Sequence, residues 1–125
     1  MTAILVVDDQ KEMRTVARRV LTEAGYEVAE AEDGDAALAA FRAHPPALVI
    51  TDIIMPGKAG IEIIATMKRE HPGVKVLAIS GGGRAHVMDF LAIARKAGAD
   101  AALEKPFRKS DLLARVAELL GPQTP

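Results

Sequence analysis

Short apolar runs alternate five times along the chain with longer segments whose apolar residues recur at helical spacing, and this alternation constrains the fold most. The short runs are typical of strands, at residues 3–7, 26–31, 47–52, 74–79 and 99–104. The longer segments are typical of amphipathic helices, at residues 10–24, 34–44, 61–71, 87–97 and 110–120. Strict alternation of strands and helices predicts a parallel sheet with right-handed crossovers. We therefore predict an α/β fold with three layers, in which helices cover both faces of a five-stranded parallel sheet.

The third apolar run, residues 47–52, carries the residue of greatest chemical interest. Its apolar and β-branched residues predict a strand that is buried on both faces and ends at Asp52. Pro56 and Gly57 then force the chain to turn. Because ligands of open α/β sheets bind at the carboxyl ends of the strands, Asp52 is expected in a functional site.

Local patterns also predict details of the first helix and the second strand. Asp9 and Glu12 are spaced nearly as in a capping box, which predicts that Asp9 caps the first helix. The predicted inward face of this helix consists of apolar residues: Met13, Val16, Ala17, Val20, Leu21 and Ala24. The second strand alternates polar and apolar residues more than the others do, so we expect it near a sheet edge.

Composition excludes several other classes of protein. The chain has 125 residues, a formal net charge of −1 and no cysteine, so we expect a single domain without disulfides or thiolate metal sites. The sequence has no stripe of basic residues, so its charge gives no indication of nucleic-acid binding. No apolar run approaches the ~20 residues of a membrane span, and no signal peptide is visible. We expect a soluble, cytoplasmic protein with one domain at residues 1–121 and a short tail at 122–125.

Polar residues follow four of the five predicted strands, where parallel strands share one sheet edge. They are Asp8, Asp9, Asp52, Ser80 and Lys105. Two like charges about 4 Å apart repel by ~4 kcal/mol at an effective dielectric constant of ~20. Three carboxylates at one edge therefore require protonation or a cation, and an all-oxygen ligand set with room for water suits Mg²⁺.

These residues, together with Met55-Pro56-Gly57 and Lys105-Pro106-Phe107, resemble the motifs of the receiver domain of two-component response regulators. The resemblance covers nearly the whole chain and implies a flavodoxin-like (βα)₅ fold that is phosphorylated on an aspartate. The implied phosphoryl donor is a phosphohistidine on a sensor histidine kinase or a histidine phosphotransfer protein. It also implies an unknown downstream protein partner. From the charge and the apolar runs we expect no direct binding to nucleic acid or membrane, and we expect a monomer or weak homodimer. A receiver catalyses only its own phosphorylation and dephosphorylation, so we expect no enzyme in the usual sense.

The resemblance assigns Asp52 as the phosphoacceptor and places Mg²⁺ beside it. Asp9, Asp52 and the backbone carbonyl of Ile54 are implied as direct ligands, and Asp8 as a ligand through water. Considered alone, Asp8 and Asp9 are better explained as caps of the first helix, and Asp52 fits a cap or a solvated loop residue as well as it fits a functional one. The combined pattern at several strand ends favours the receiver.

The resemblance also assigns Lys105 and Ser80 to the phosphoryl oxygens, with a change in the β4–α4 region as the output. Two departures from the family affect that output. Ala102 stands where many receivers place a switching aromatic residue, and residues 81–88 form a longer, glycine-rich segment. We hypothesise that this segment reports phosphorylation in place of the aromatic side chain.

Two alternatives from other classes use similar residues. A Mg²⁺-dependent phosphohydrolase of the haloacid dehalogenase type needs a second aspartate where this chain has Ile54, which cannot transfer a proton. A flavodoxin-like nucleotide or flavin binder needs hydrogen-bond donors after the first strand. Asp8 and Asp9 stand there instead and would repel an anion.

Overall fold

The computed structural model describes residues 2–53, 60–80 and 87–121, and only the backbone of residues 87–91. It confirms the predicted α/β fold. The five strands are β1 (Ala3–Val7), β2 (Glu27–Ala31), β3 (Leu48–Asp52), β4 (Lys75–Ser80) and β5 (Ala101–Glu104). The five helices are α1 (Lys11–Glu23), α2 (Gly34–Ala43), α3 (Gly60–Glu70), α4 (Val87–Ala97) and α5 (Lys109–Leu120).

The strands form one parallel sheet in the order β2-β1-β3-β4-β5. The central strand β3 lies between β1 and β4, and all five of its residues are buried, as its apolar sequence predicts. Strand β2 lies at the edge, where alternate residues are exposed, which confirms the expectation from its pattern. From β1 the chain adds β2 on one side and β3 on the other, so the direction of strand addition changes between β1 and β3. Open α/β sheets bind ligands at such a switch point.

Two aliphatic clusters cover the two faces of the sheet. Successive residues of a strand point to opposite faces, and Val49 accordingly packs in one cluster while Leu48 and Ile50 pack in the other. Helices α2, α3 and α4 supply the first cluster, whose largest buried side chain is Phe41. Helices α1 and α5 supply the second. Both faces are therefore held by helices, and the carboxyl ends of β1 and β3 are left to carry polar groups.

The start of α1 differs from the prediction. Gln10 rather than Asp9 is the N-cap residue, and no side chain caps the helix. The amide of Gln10 donates instead to Oδ1 of Asp8, at 2.9 Å. The predicted capping box is therefore wrong, and the Asp9 carboxylate is not used as a helix cap.

The predicted inward face of α1 is too wide. Ala17, Val20 and Leu21 are buried, but Val16 is 54% exposed. Adjacent residues are separated by about 100° around a helix, which places Val16 outside the stripe centred near Ala17. Among the described residues, no helix is long and apolar enough to cross a membrane.

Candidate functional site

The carboxyl ends of β1 and β3 bring the three predicted aspartates together. Val7 pairs with Thr51 in the sheet, so the residues that follow them, Asp8 and Asp52, leave neighbouring strands at the same level. One carboxylate oxygen from each of Asp8, Asp9 and Asp52 lies within 4.8 Å of the others. Asp8 and Asp52 are buried and Asp9 is exposed. Two of the three charges are thus shielded from water, while the third faces solvent.

Lys105 supplies the cation of this cluster. Its Nζ lies 3.0 Å from Oδ2 of Asp8 and 2.9 Å from Oδ2 of Asp52, and it donates a hydrogen bond to each. Burial lowers the pKa of Lys105, but the hydrogen bonds and charges of Asp52 and Asp8 outweigh that effect and leave the pKa raised above its ordinary value. Lys105 therefore stays protonated and joins strands β1, β3 and β5 through one ammonium group.

Backbone hydrogen bonds fix the position of Lys105 and therefore the point from which its side chain extends. Strands β4 and β5 are paired, with Ser80 opposite Glu104. The amide of Lys105 then donates to the carbonyl oxygen of Ser80, at 2.8 Å. Ser80 and Lys105 are consequently held side by side at the edge that carries the aspartates.

The hydroxyl of Ser80 has an unusual environment. The residue is fully buried, and its Oγ finds no hydrogen-bond partner in the described part of the chain. A buried polar group without a partner costs about 1–3 kcal/mol, and such groups in native proteins call for a functional explanation. Ser80 is thus a buried donor that is available for a ligand.

Gly60, the first residue of α3, is a site residue that the sequence reasoning missed. A Cβ atom at this position would collide with the carbonyl oxygen of Asp52 and lie 2.7 Å from Cα of Ile53. The helix can begin against the end of β3 only because Gly60 has no side chain. A single glycine near a turn gives no sequence signal for such an approach, which depends on the tertiary packing.

Gln10 and Arg14 were also missed. The side-chain oxygen of Gln10 lies 3.5 Å from Nζ of Lys105, and the guanidinium of Arg14 donates to the backbone carbonyl of Asp8. Both residues belong to the turn between β1 and α1 or to the first turns of α1. Their polar character alone does not distinguish them from the other surface residues of that helix.

Three of the residue predictions lie outside the described residues. The carbonyl of Ile54, the turn at Met55-Pro56-Gly57 and the glycine-rich part of the 81–88 segment are in the ranges 54–59 and 81–86. Ala102 is described, and it lies half-buried in β5 opposite Ala78 of β4. Its methyl group has no side-chain rotamer to switch.

The donor set fits a divalent cation. Three carboxylates and one ammonium group leave a formal charge of −2, and the nearby ligand atoms are oxygens. Mg²⁺ prefers oxygen ligands and keeps several of its waters, which the exposed position of Asp9 permits. The cluster can therefore hold Mg²⁺.

Comparison with known proteins agrees with this arrangement. The family model of the response regulator receiver domain matches residues 4–117. The chemotaxis protein CheY of Halobacterium salinarum is 35% identical over 118 residues, covering 94% of this chain and 95% of that protein. CheY of Thermotoga maritima is 38% identical over 120 residues, covering 94% of this chain and 93% of that protein.

The chain spans only 24% of another relative, the nitrogen assimilation regulatory protein NtrX of Azorhizobium caulinodans, with 38% identity over 112 residues. Among solved structures, the receiver domain of NtrX from Brucella abortus superposes with a TM-score of 0.88 at 34% identity, covering 96% of this chain and 99% of that one. CheY4 of Vibrio cholerae gives a TM-score of 0.86 at 28% identity, with the same coverage. The chain belongs to the receiver domain family of two-component response regulators.

Proposed function

We propose that this receiver is a phosphoacceptor switch of a two-component phosphorelay, with Asp52 as the residue that is phosphorylated. One observation carries the proposal: Asp8, Asp9 and Asp52 cluster within 4.8 Å, and Lys105 bonds to two of them. A buried carboxylate beside a fixed cation is suited to act as a nucleophile toward phosphorus. The donor is a phosphohistidine of a sensor histidine kinase or a histidine phosphotransfer protein.

Receiver domains bind Mg²⁺ at an acidic site, and the cluster supplies suitable ligands. We propose that Asp9 and Asp52 bind Mg²⁺ directly with the backbone carbonyl of Ile54, while Asp8 binds through water. When bound, the ion supplies positive charge that offsets the repulsion among the carboxylates and the incoming phosphoryl group. The exposure of Asp9 supports its role as the ligand nearest to solvent.

In the proposed transfer, a carboxylate oxygen of Asp52 attacks the phosphorus of the phosphohistidine. The P–N bond breaks, and its electron pair leaves with the donor imidazole. Lys105 already contacts the carboxylate that receives the group, so its ammonium can hydrogen-bond to the new phosphoryl oxygens with little movement. The burial of Asp52 limits water at the acyl phosphate.

Ser80 is the proposed responder to phosphorylation. Its buried hydroxyl has no hydrogen-bond partner among the described residues, and a phosphoryl group adds three strong acceptor oxygens nearby. A new hydrogen bond there would favour a rearrangement after β4, the strand that Ser80 ends. Because Ala102 has no rotamer to switch, we propose that the output passes through the β4–α4 region to a protein partner.

The remaining parts of the proposal concern the whole molecule. We propose that residues 1–121 form the receiver and 122–125 a short tail, and that the domain works in the cytoplasm as a monomer or weak homodimer. The phosphohydrolase and the flavodoxin-like binder are no longer needed to explain the acidic cluster, because the chain belongs to the receiver family. In keeping with that family, the domain serves as a signalling switch.

Intact mass spectrometry after incubation with acetyl phosphate and Mg²⁺ tests the proposal. We expect the wild type to gain the mass of one phosphoryl group. Asp52→Asn, which keeps the shape of the side chain but removes the nucleophile, should gain none. Asp111→Asn is a matched control on an exposed helix start and should behave as the wild type does. A gain that survives in Asp52→Asn would move the acceptor to another residue.

A further inference from the structure

Arg14 of α1 reaches back across the turn that carries two of the three aspartates. Its Nη1 donates to the backbone carbonyl oxygen of Asp8 at 2.7 Å. Only 14% of the Arg14 side chain is exposed, which is low for an arginine on the first turns of a surface helix. The guanidinium is therefore packed against the turn and does not extend into solvent.

Glu30 of the edge strand β2 orients this guanidinium. Oε1 of Glu30 lies 3.4 Å from Nε of Arg14, while its Oε2 lies 3.0 Å from Nη1 of Arg18. Arg14 is the more buried of the two arginines, since the Arg18 side chain is 62% exposed. One carboxylate thus pairs with two arginines, and in the described part of the chain Arg14 is the one that donates to the Asp8 carbonyl.

The turn between β1 and α1 has other attachments among the described residues, and Nζ of Lys105 donates to Oδ2 of Asp8 and to the side-chain oxygen of Gln10. The amide of Asp8 donates to the carbonyl of Ala31 at 3.2 Å, and the amide of Gln10 donates to Oδ1 of Asp8 at 2.9 Å. At 2.7 Å the Arg14 bond is shorter than these contacts, and among the described residues it is the one that a charged side chain donates to the backbone of the turn. Charge-assisted hydrogen bonds are about twice as strong as neutral ones, so Arg14 contributes strongly to the orientation of this turn.

We infer that Arg14 is a positioning residue of the Mg²⁺ site: through the Asp8 carbonyl it holds the turn so that Asp8 and Asp9 face Asp52. This inference rests on the proposed function, because it assumes that the three carboxylates bind the ion. Removing a group that hydrogen-bonds to a metal ligand and orients it typically lowers metal affinity by about 10–100-fold. Arg14 touches a ligand residue through its backbone, so its effect should be at the lower end of that range.

The direction of the effect separates positioning from simple electrostatics. Removing a positive charge near an acidic cluster reduces repulsion of Mg²⁺ and should tighten binding. Loss of a positioning hydrogen bond should weaken binding, because Asp8 and Asp9 then sample orientations that do not face Asp52. A weaker site in a variant that has lost a cation therefore cannot be explained by charge alone.

Calorimetric titration of the full chain with MgCl₂ at constant ionic strength measures whether a substitution raises or lowers the Mg²⁺ dissociation constant. In Arg14→Met, which keeps an unbranched apolar stem without donors, we expect the dissociation constant to rise about tenfold. Arg18→Met is the matched control: it removes a cation from the same Glu30 but makes no described bond to the turn. Its dissociation constant should stay within about twofold of the wild type or fall slightly.

Arg14→Lys keeps the charge but cannot reproduce the planar fork that serves Glu30 and Asp8 together. We expect its dissociation constant to lie between those of the wild type and Arg14→Met. If Arg14→Met does not fold, Arg14→Lys decides the question, and a wild-type constant in that variant overturns the inference. Unfolding in urea without Mg²⁺ gives the second readout for each variant.

A lower free energy of unfolding with an unchanged or tighter dissociation constant in Arg14→Met would make Arg14 a purely structural residue. Failure of the wild type itself to bind Mg²⁺ would instead refute the proposed function. The two failures are therefore distinguishable in one set of titrations.

Discussion

Replacing Lys105 by methionine should destabilise the domain strongly without Mg²⁺ and somewhat less with it. Lys105 is the cation that pairs with two buried carboxylates, Asp8 and Asp52. Methionine has a similar length and keeps the apolar stem, so the change removes mainly the charge. The two carboxylates would then face each other without a neutralising group.

The distances set the magnitude of this effect. Each of the two ion pairs, at 3.0 and 2.9 Å, has a Coulomb energy of about 5–6 kcal/mol at an effective dielectric constant of ~20. Desolvation offsets much of that energy, and breaking a buried pair by removing one partner costs about 3–5 kcal/mol. We expect a loss in this range without Mg²⁺. Without Lys105 to compete for the carboxylates, the site should bind Mg²⁺ about tenfold more tightly. With Mg²⁺ the loss of stability should therefore be smaller by about 1.4 kcal/mol.

Urea unfolding of the wild type and Lys105→Met at neutral pH, with Mg²⁺ and with a chelator, provides the assay. Lys109→Met is the matched control, because Lys109 is 61% exposed and lies 3.5 Å from its only described carboxylate partner, on Glu23. We expect it to change the free energy of unfolding by less than about 0.5 kcal/mol, equally with and without Mg²⁺. A loss in Lys105→Met that is below ~1 kcal/mol, or that Mg²⁺ does not reduce, would refute this reasoning.

Substitutions at three other positions test one contact beside the site and two contacts elsewhere in the fold. Gly60→Ala should lower the free energy of unfolding by about 1–3 kcal/mol, because its Cβ would collide with the backbone of Asp52; equal urea midpoints would contradict this. Asp100→Ala should lose about 1–3 kcal/mol in the same assay, because Asp100 accepts from an amide of β4 and pairs with a lysine of α3, and Asp100→Asn should lose less. The hydrogen bond from Arg42 lowers the pKa of Glu70, so this pair stabilises the fold above the unfolded-state pKa of Glu70, and that contribution is lost as the pH falls through the folded-state pKa. The urea midpoints of Arg42→Ala and wild type should therefore differ more at neutral than at acidic pH, and an equal difference would be inconsistent with the pair.

The sheet and the main site residues could be predicted because they depend on local patterns. Five apolar runs of strand length alternate with helical segments, and this pattern largely determines the layers. Once parallel strands are assumed, residues just after their carboxyl ends must share one edge. The meeting of Asp8, Asp52 and Lys105 follows from that geometry.

Details that depend on tertiary contacts could not be predicted. Val16 continues the apolar spacing of α1 but lies beyond the edge of the stripe that meets the sheet. Asp9 has the spacing of a helix cap, yet the carboxylate of Asp8 takes the amide of Gln10 instead. In both cases the choice depends on how α1 is docked, which periodicity does not encode.

No sequence pattern predicted the roles of the residues that support the site. The role of Gly60 follows from the approach of α3 to the end of β3. Arg14 acts through a backbone carbonyl six residues earlier and through Glu30 on a different strand. Neither relation leaves a spacing motif, because one depends on a packing distance and the other on the pairing of β1 with β2.

Amide NMR spectra of the wild type during titration with Mg²⁺ test the central claim most directly, namely that the acidic cluster at the ends of β1 and β3 binds a divalent cation. We expect saturable shifts that are largest at Asp8, Asp9 and Asp52, and we expect Asp9→Asn to weaken them. Spectra that do not change at millimolar excess of Mg²⁺, or shifts centred elsewhere on the domain, would contradict the claim.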